Sequence, residues 1–208
     1  MYRFKNLTLV ILCGGKGSRI KHLNPKDPKS LVKFGHVAFL RHLLNFYSKY
    51  PFREIYLMCG YKGKKIHDKF HNKYVNLIKI KCIIEKKTLG TAGPLGLLKK
   101  KINNDFLLVN GDSYLDYDIF NFINSLKKKH KILLVKNKNY RSNNLLNKLS
   151  LGKNNIIKKS NNNKNTFMNA GVYFFKKKIL KNINPKEISL EKNIINDLNN
   201  KNDSSKNN

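Results

Sequence analysis

Short apolar runs alternate along the chain with segments whose apolar residues recur every three or four positions, the alternation that parallel β-α units produce. Residues 7–13 (LTLVILC) are almost wholly apolar and read as a buried first strand. Residues 54–58, 79–85, 106–110, 132–135 and 168–175 predict further strands. Between them Phe39, Leu40, Leu43, Leu44, Phe46 and Tyr47 recur at helical spacing, and residues 64–70 and 92–98 can form helices. Asp118 is placed to cap a helix running to residue 126, and residues 190–198 predict a last helix. The connection after the first strand passes Pro25 and Pro28 and reaches Phe34, longer than a simple turn needs, which marks it as functional. Residues 137–165 are polar and without period, and predict only a weak hairpin around Gly152. Residues 199–208 are all Lys, Asn, Asp or Ser and cannot bury apolar surface, so disorder is expected there. The pattern gives one α/β domain over residues 1–198 and a tail over 199–208, with no internal repeat.

A chain of 208 residues with 40% hydrophobic content is long enough for one sizeable core. The formal charge of +31 invites a nucleic-acid partner, but its make-up argues against one. There are 38 Lys against 5 Arg, with 31 Asn besides, and the Lys come in runs at 99–101, 127–129 and 176–178. A nucleic-acid surface favours Arg for bidentate contacts and interleaves aromatics for stacking. The excess reads instead as a compositional drift that still draws in small anions. The three cysteines, Cys13, Cys59 and Cys82, sit in or at the ends of apolar runs and read as buried free thiols of a reducing compartment. No basic-then-apolar leader opens the chain and no apolar run approaches membrane-spanning length, so a cytoplasmic protein with no membrane partner is expected.

Four stretches carry candidate chemistry. The first is LCGGKGSRI at residues 12–20, directly after the first strand. Its three glycines, Gly14, Gly15 and Gly17, leave a bare backbone whose N–H groups can surround a phosphate, with Lys16 and Arg19 supplying charge. The other reading of this stretch is a glycine-rich turn with solvated basic residues. Neither the dinucleotide fingerprint nor the P-loop is completed here. The second is PKSL at 28–31, where a Lys fixed by the preceding Pro can return to phosphates held by the loop. The third is Glu85 followed by LGTAG at 89–93, where glycines admit a flat ring and Thr91 can bond a base edge or cap a helix. The fourth is NGDSYLD at 110–116, with Asp112 at the end of a buried strand. That is a place for a carboxylate holding a divalent cation on phosphates, or for a plain turn Asp.

Together with MNAGVYFF at 168–175, these stretches occur in the order and spacing of the sugar-1-phosphate nucleotidyltransferases, whose glycine loop usually reads G-G-x-G-T-R-L. Over about residues 7–198 the chain resembles that family, and NGDSYLD with SLEKN at 189–193 makes it most similar to the D-glycero-D-manno-heptose 1-phosphate guanylyltransferase branch. The resemblance implies a Rossmann-like three-layer α/β/α fold with a mostly parallel central sheet. It implies a reaction of a nucleoside triphosphate and a sugar 1-phosphate, with Mg²⁺, giving a nucleotide-sugar and pyrophosphate. GDP-heptose for a surface polysaccharide is the product expected from the branch, while GTP, CTP and UTP all stay open from the base loop alone. It further implies that Cys13, Gly14, Gly15, Gly17 and Ser18 hold the triphosphate, with Leu89, Gly90, Thr91 and Asn110 around the nucleotide. Arg19 would neutralise the departing pyrophosphate, Lys29 would bridge donor phosphates, and Asp112 would bind Mg²⁺. Glu85, Lys159, Asn169 and Gly171 would serve the sugar phosphate.

Two departures qualify the carry-over. The family's F-x-E-K segment has its nearest match at Ile156-Ile157-Lys158-Lys159, so Lys158 stands where the family has a sugar-binding Glu. The family's closing strand, whose D-I-G segment brings a second metal-binding Asp, has no counterpart before the final NNKNDSSKNN, and its absence would leave an unpaired sheet edge. Both departures also suit a homologue that binds nucleotide without efficient turnover.

Overall fold

The chain is described here by a computed structural model, which covers residues 4–17, 26–124, 130–136, 149–151, 157–159 and 167–195. In chain order these form β1 (Leu7–Leu12), a small hairpin of β2 (Lys33–Phe34) and β3 (Val37–Ala38), α1 (Phe39–Tyr47), β4 (Glu54–Cys59) and α2 (Gly63–Phe70). Then follow β5 (Tyr74–Val75), β6 (Ile78–Ile84), the short α3 (Gly93–Gly96), β7 (Asp105–Asn110), α4 (Ile119–Asn124) and β8 (Lys131–Lys136). The last strands are β9 (Leu149–Leu151), β10 (Ile157–Lys159) and β11 (Phe167–Phe175), followed by a 3₁₀ segment at Lys177–Asn182 and a wide-pitched turn of helix at Leu190–Ile195.

Nine strands make one sheet in the order β10-β9-β11-β7-β1-β4-β6-β5, with β8 also paired to β11. The four central strands, β7, β1, β4 and β6, run parallel, and β11 is antiparallel to β7. Because successive strand residues point to opposite faces, each apolar strand feeds two cores. On one face Leu9, Ile11, Leu57 and Leu107 pack against Leu40, Leu43 and Leu44 of α1, Ile66 and Phe70 of α2, and Ile119 and Ile123 of α4. On the other face Val10, Met58, Phe106, Leu108 and Tyr173 meet Leu95, Leu98, Leu180, Ile183 and Ile194. The expected three-layer α/β/α arrangement with a mostly parallel sheet is therefore what forms.

Differences from the sequence reading are local. Residues 92–98 hold only one turn of α-helix, Gly93–Gly96, with bonds of the i→i+3 type, Leu97 N to Pro94 O and Leu98 N to Leu95 O at 3.0 Å each; Gly93 and Gly96 lie close against the 184–186 backbone. The last helix has a wide turn over 190–195, and its remaining expected residues, 196–198, lie outside the described ones. Asp118 caps α4 as expected: Asn121 N donates to its Oδ1 at 2.8 Å. The hairpin around Gly152 forms as antiparallel β9 and β10, with the connecting residues 152–156 outside the described set. The pairs β2–β3 and β5–β6 were not anticipated, since two-residue strands leave no periodic signal. The tail over 199–208 also lies outside the described residues.

Candidate nucleotide site

The chain lays β1, β4 and β6 side by side in one direction, then crosses back to place β7 on the other flank of β1. Strand order thus reverses between β1 and β7, and open α/β sheets take ligands in the crevice beyond the carboxyl ends of such strands. The glycine loop leaves β1 there and Asp112 follows β7 there. Backbone bonds tie the strand ends together: Cys13 N donates to Met58 O at 2.8 Å, Gly111 N to Leu12 O at 2.9 Å, and Tyr61 N to Gly14 O at 3.1 Å. They surround a cavity of about 520 Å³, within the size of small-molecule sites.

Lys29 reaches this cavity because the chain before it is pinned. Pro28 is extended (φ −66°, ψ 153°) and starts a single 3₁₀ turn that buries Ser30 and Leu31. Upstream, the Lys26 carbonyl accepts from Lys62 Nζ at 3.0 Å and Lys65 Nζ at 2.8 Å, and Lys65 pairs with Asp27 at 2.8 Å. Gly17 holds φ +63°, and a Cβ there would come 2.8 Å from Lys29 Cβ, so the glycine loop and the lysine turn fit together only with that position bare. Across the mouth Lys29 Nζ pairs with Asp112 Oδ2 at 2.7 Å, both side chains partly exposed. Asp112 Oδ1 accepts from Ser113 Oγ at 3.3 Å.

Glu85 sits deeper on the wall. Its Oε1 would be 2.9 Å from a Cβ at Gly14 and 3.2 Å from one at Gly60, so both backbones lie against it. Burial pushes its carboxyl above the usual range, partly offset by a bond from the Leu89 backbone. The Cys13 thiol is pushed far up, chiefly by burial and then by Cys82, which keeps it neutral and excludes it as a nucleophile. The loop over 89–93 is held by the segment after the 3₁₀ turn: Ala92 N donates to Ile188 O at 3.0 Å and Ile188 N to Leu89 O at 3.2 Å. Thr91 Oγ1 accepts from Leu190 N at 2.8 Å and donates to Glu191 Oε2 at 3.2 Å. On the β7 side, Asn110 packs against a bulge in β11 where Gly171 has φ +72°; a Cβ there would lie 2.5 Å from Asn110 Nδ2.

Of the residues singled out from sequence, Cys13, Gly14, Gly15, Lys29, Glu85, Gly90, Thr91, Asn110 and Asp112 line the one cavity. Gly17 buttresses Lys29, and Leu89 is buried beneath the loop. Gly171 stands against Asn110, and neither it nor Asn169 lies on the cavity wall; Asn169 accepts from Gly171 N at 3.0 Å and donates to Tyr173 OH at 2.6 Å. Lys159 belongs to β10, separated from β7 by β9 and β11. Ser18 and Arg19 fall outside the described residues. Sequence reasoning passed over Ser30, Gly60, Tyr61, Lys87, Thr88 and Pro94, which also line the cavity. Gly60 and Tyr61 could have been found from the end of a central parallel strand; Lys87 could not be told from the other lysines.

Among the described residues no group of three or more His, Cys, Asp or Glu side chains is arranged to hold a metal ion, and no helix is long and apolar enough to cross a membrane. The donor set at the mouth suits a hard cation held mainly by a ligand's phosphates. It is one partly exposed carboxylate, Asp112, where magnesium typically takes one or two carboxylates with phosphate and water.

The profile of the family described as Nucleotidyl transferase matches residues 8–208. A D-glycero-alpha-D-manno-heptose 1-phosphate guanylyltransferase of Campylobacter jejuni is 34% identical over 110 residues, 53% of this chain and 49% of that protein. The bifunctional protein GlmU of Methanocaldococcus jannaschii is 32% identical over 183 residues, 86% of this chain and 42% of that protein. The chain thus spans about half the length of these curated relatives. A crystal structure of HddC from Yersinia pseudotuberculosis complexed with GMP-PN superposes with a TM-score of 0.75 at 28% identity, over 90% of this chain and 84% of that one.

Proposed function

The chain belongs to the nucleotidyl transferase family, and on that premise we propose that it joins a nucleoside triphosphate to a sugar 1-phosphate, releasing pyrophosphate. The observation that carries this reading is the convergence of the glycine loop, Lys29 and Asp112 on one cavity at the strand-order reversal. The finer reading is guanylyl transfer to a heptose 1-phosphate, in the cytoplasm, for a surface polysaccharide. It is supported by the likeness to the Campylobacter guanylyltransferase and to the Yersinia protein bound to GMP-PN.

In this reading an oxygen of the sugar phosphate attacks the α-phosphorus in line, the new P–O bond forms, and the bond to pyrophosphate breaks. No protein nucleophile is needed, so the chain's work is positioning and charge neutralisation. Gly14 and Gly15 bring backbone N–H groups up to the triphosphate; in this reading Ser18 also serves the triphosphate and Arg19 neutralises the departing pyrophosphate. Lys29 leaves Asp112 for the donor phosphates. Asp112 would hold the magnesium ion, which when bound offsets negative charge on the phosphates. Glu85 carries only acceptors and repels phosphate, so it faces donors of the ligand, a hydroxyl or a ring N–H. Asn169 and Gly171 act on the sugar side, and Lys159 toward the sugar phosphate.

The assay is purified protein with Mg²⁺, each nucleoside triphosphate and a panel of sugar 1-phosphates, following pyrophosphate. Release with GTP and a heptose 1-phosphate is expected. Nucleotide binding without release for any pair would replace this reading with a second one, a binding protein without turnover, which Lys158 in the place of the family's sugar-binding Glu favours.

A further inference from the structure

The turn that presents Lys29 also carries a hydroxyl with no evident structural use. Ser30 is 3% exposed and lies on the cavity wall. Its Oγ is buried and, among the described residues, makes no hydrogen bond of good geometry. Its polar neighbour is the Cys13 thiol, which burial keeps neutral and which is a weak partner in that form. Buried hydroxyls are almost always satisfied, and leaving one without a strong partner destabilises the free protein. Alanine at this position removes the hydroxyl with little change of volume, and the fold loses only the weak contact to the Cys13 thiol. What the Oγ can still do is act toward the cavity it borders. It follows Lys29 directly in sequence and is fixed by the same Pro28 turn, whose Leu31 N donates to Pro28 O at 2.9 Å. Because the Oγ is closed to solvent in the free protein, it meets a ligand held beside Lys29 and the glycine loop once its side chain turns toward the cavity.

We propose that the Ser30 hydroxyl donates a hydrogen bond to a phosphate oxygen of the bound nucleotide, and that the weak pairing the described residues offer it in the free protein is retained for binding. The inference rests on the nucleotide-binding reading above and adds a contact to it. It also gives this Ser a signature opposite to that of a packing residue: its removal strengthens the fold and weakens the complex.

The test compares the unaltered chain with Ser30→Ala and Ser30→Cys by thermal melting and by calorimetric titration with GTP and with inorganic tripolyphosphate. The expected result for Ser30→Ala is a melting temperature equal to or above that of the unaltered chain. Affinity for both probes should fall about tenfold or more, the usual effect of a lost bond to a charged acceptor. Ser30→Cys, which keeps the volume and lacks a strong donor, should bind as weakly as Ser30→Ala. Lys29→Met serves as the contrast, losing affinity without gaining stability. A lower melting temperature for Ser30→Ala, whether or not Ser30→Cys restores it, would show the side chain to be a structural group and overturn the proposal. Affinities for both probes within twofold of the unaltered chain would overturn it too. Loss toward GTP alone, with tripolyphosphate unaffected, would move the contact off the phosphates and reject it as stated. If the unaltered chain binds neither probe, the nucleotide reading itself falls, an outcome distinct from the other three.

Discussion

Lys29 and Asp112 illustrate how a contact can matter little to folding and greatly to function. With both side chains more than a third exposed, their 2.7 Å pair adds at most about 1 kcal/mol to stability. Asp112→Asn should therefore melt within a few degrees of the unaltered chain while abolishing pyrophosphate release. An active Asp112→Asn would reject the metal-holding role given to Asp112. His130 shows the reverse emphasis, acting on stability alone. Burial, reinforced by Lys178, lowers its pKa from 6.5 to about 4, and its Nδ1 accepts from Lys176 N at 3.3 Å. Between those two values the unfolded chain takes up a proton that the folded chain refuses. Stability is thus full above pH 6.5 and declines as pH falls toward 4, by about 1–2 kcal/mol after allowing for the ring's partial exposure. Urea melts at pH 7.5 and 4.5 should show a smaller drop for His130→Asn; an equal drop would place the effect on other groups.

At the level of elements, the same glycine residue type does two jobs that substitution separates. Gly171 sits in the β11 bulge at φ +72°, with Asn110 Nδ2 2.5 Å from where a Cβ would stand. Gly171→Ala should cost about 2–3 kcal/mol from backbone strain and displacement of Asn110, measurable as a lowered urea midpoint. At Gly15 a Cβ would meet open space, so Gly15→Ala should unfold within about 0.5 kcal/mol of the unaltered chain yet bind GTP about tenfold more weakly. Equal affinity would remove Gly15 from the phosphate cradle. Element identity was legible in the sequence wherever an apolar run or a helical stripe was long, as in β1, β7, β11 and α1. It was not legible for β2, β3 and β5, which exist because neighbouring segments hold them, nor for the shortness of α3. Equally invisible was the close approach of Gly93 and Gly96 to the 184–186 backbone, a contact about ninety residues away in sequence.

For the whole molecule the formal charge of +31 is a property of association more than of fold. Lys16, Lys29 and Lys87 on the cavity wall sit within that broader positive field and favour the arrival of anionic ligands. Raising ionic strength from about 0.05 to 0.5 M should slow GTP association about tenfold in stopped-flow measurements, with the dissociation rate nearly unchanged. An effect confined to dissociation would point to screened contacts within the complex instead of steering. The sheet order matters at this scale as well, because the cavity exists only where the path of the chain reverses beside β1.

The sequence by itself determined the alternation of buried strands and amphipathic helices, the glycine loop, the Pro28–Lys29 turn and the acid after β7. Each of these is encoded within a few neighbouring residues: periodicity selects the element, and a glycine, a proline or a strand-end carboxylate marks a local demand of backbone or charge. Tertiary structure alone decided that Gly60, Tyr61, Lys87 and Thr88 share the cavity wall. It also decided that Gly171 stands against Asn110, and that the Ser30 hydroxyl is buried beside the cavity without a strong partner. These follow from which strands lie side by side and where their ends converge. Such neighbours are tens of residues apart, and nothing in the local pattern around either one records the other.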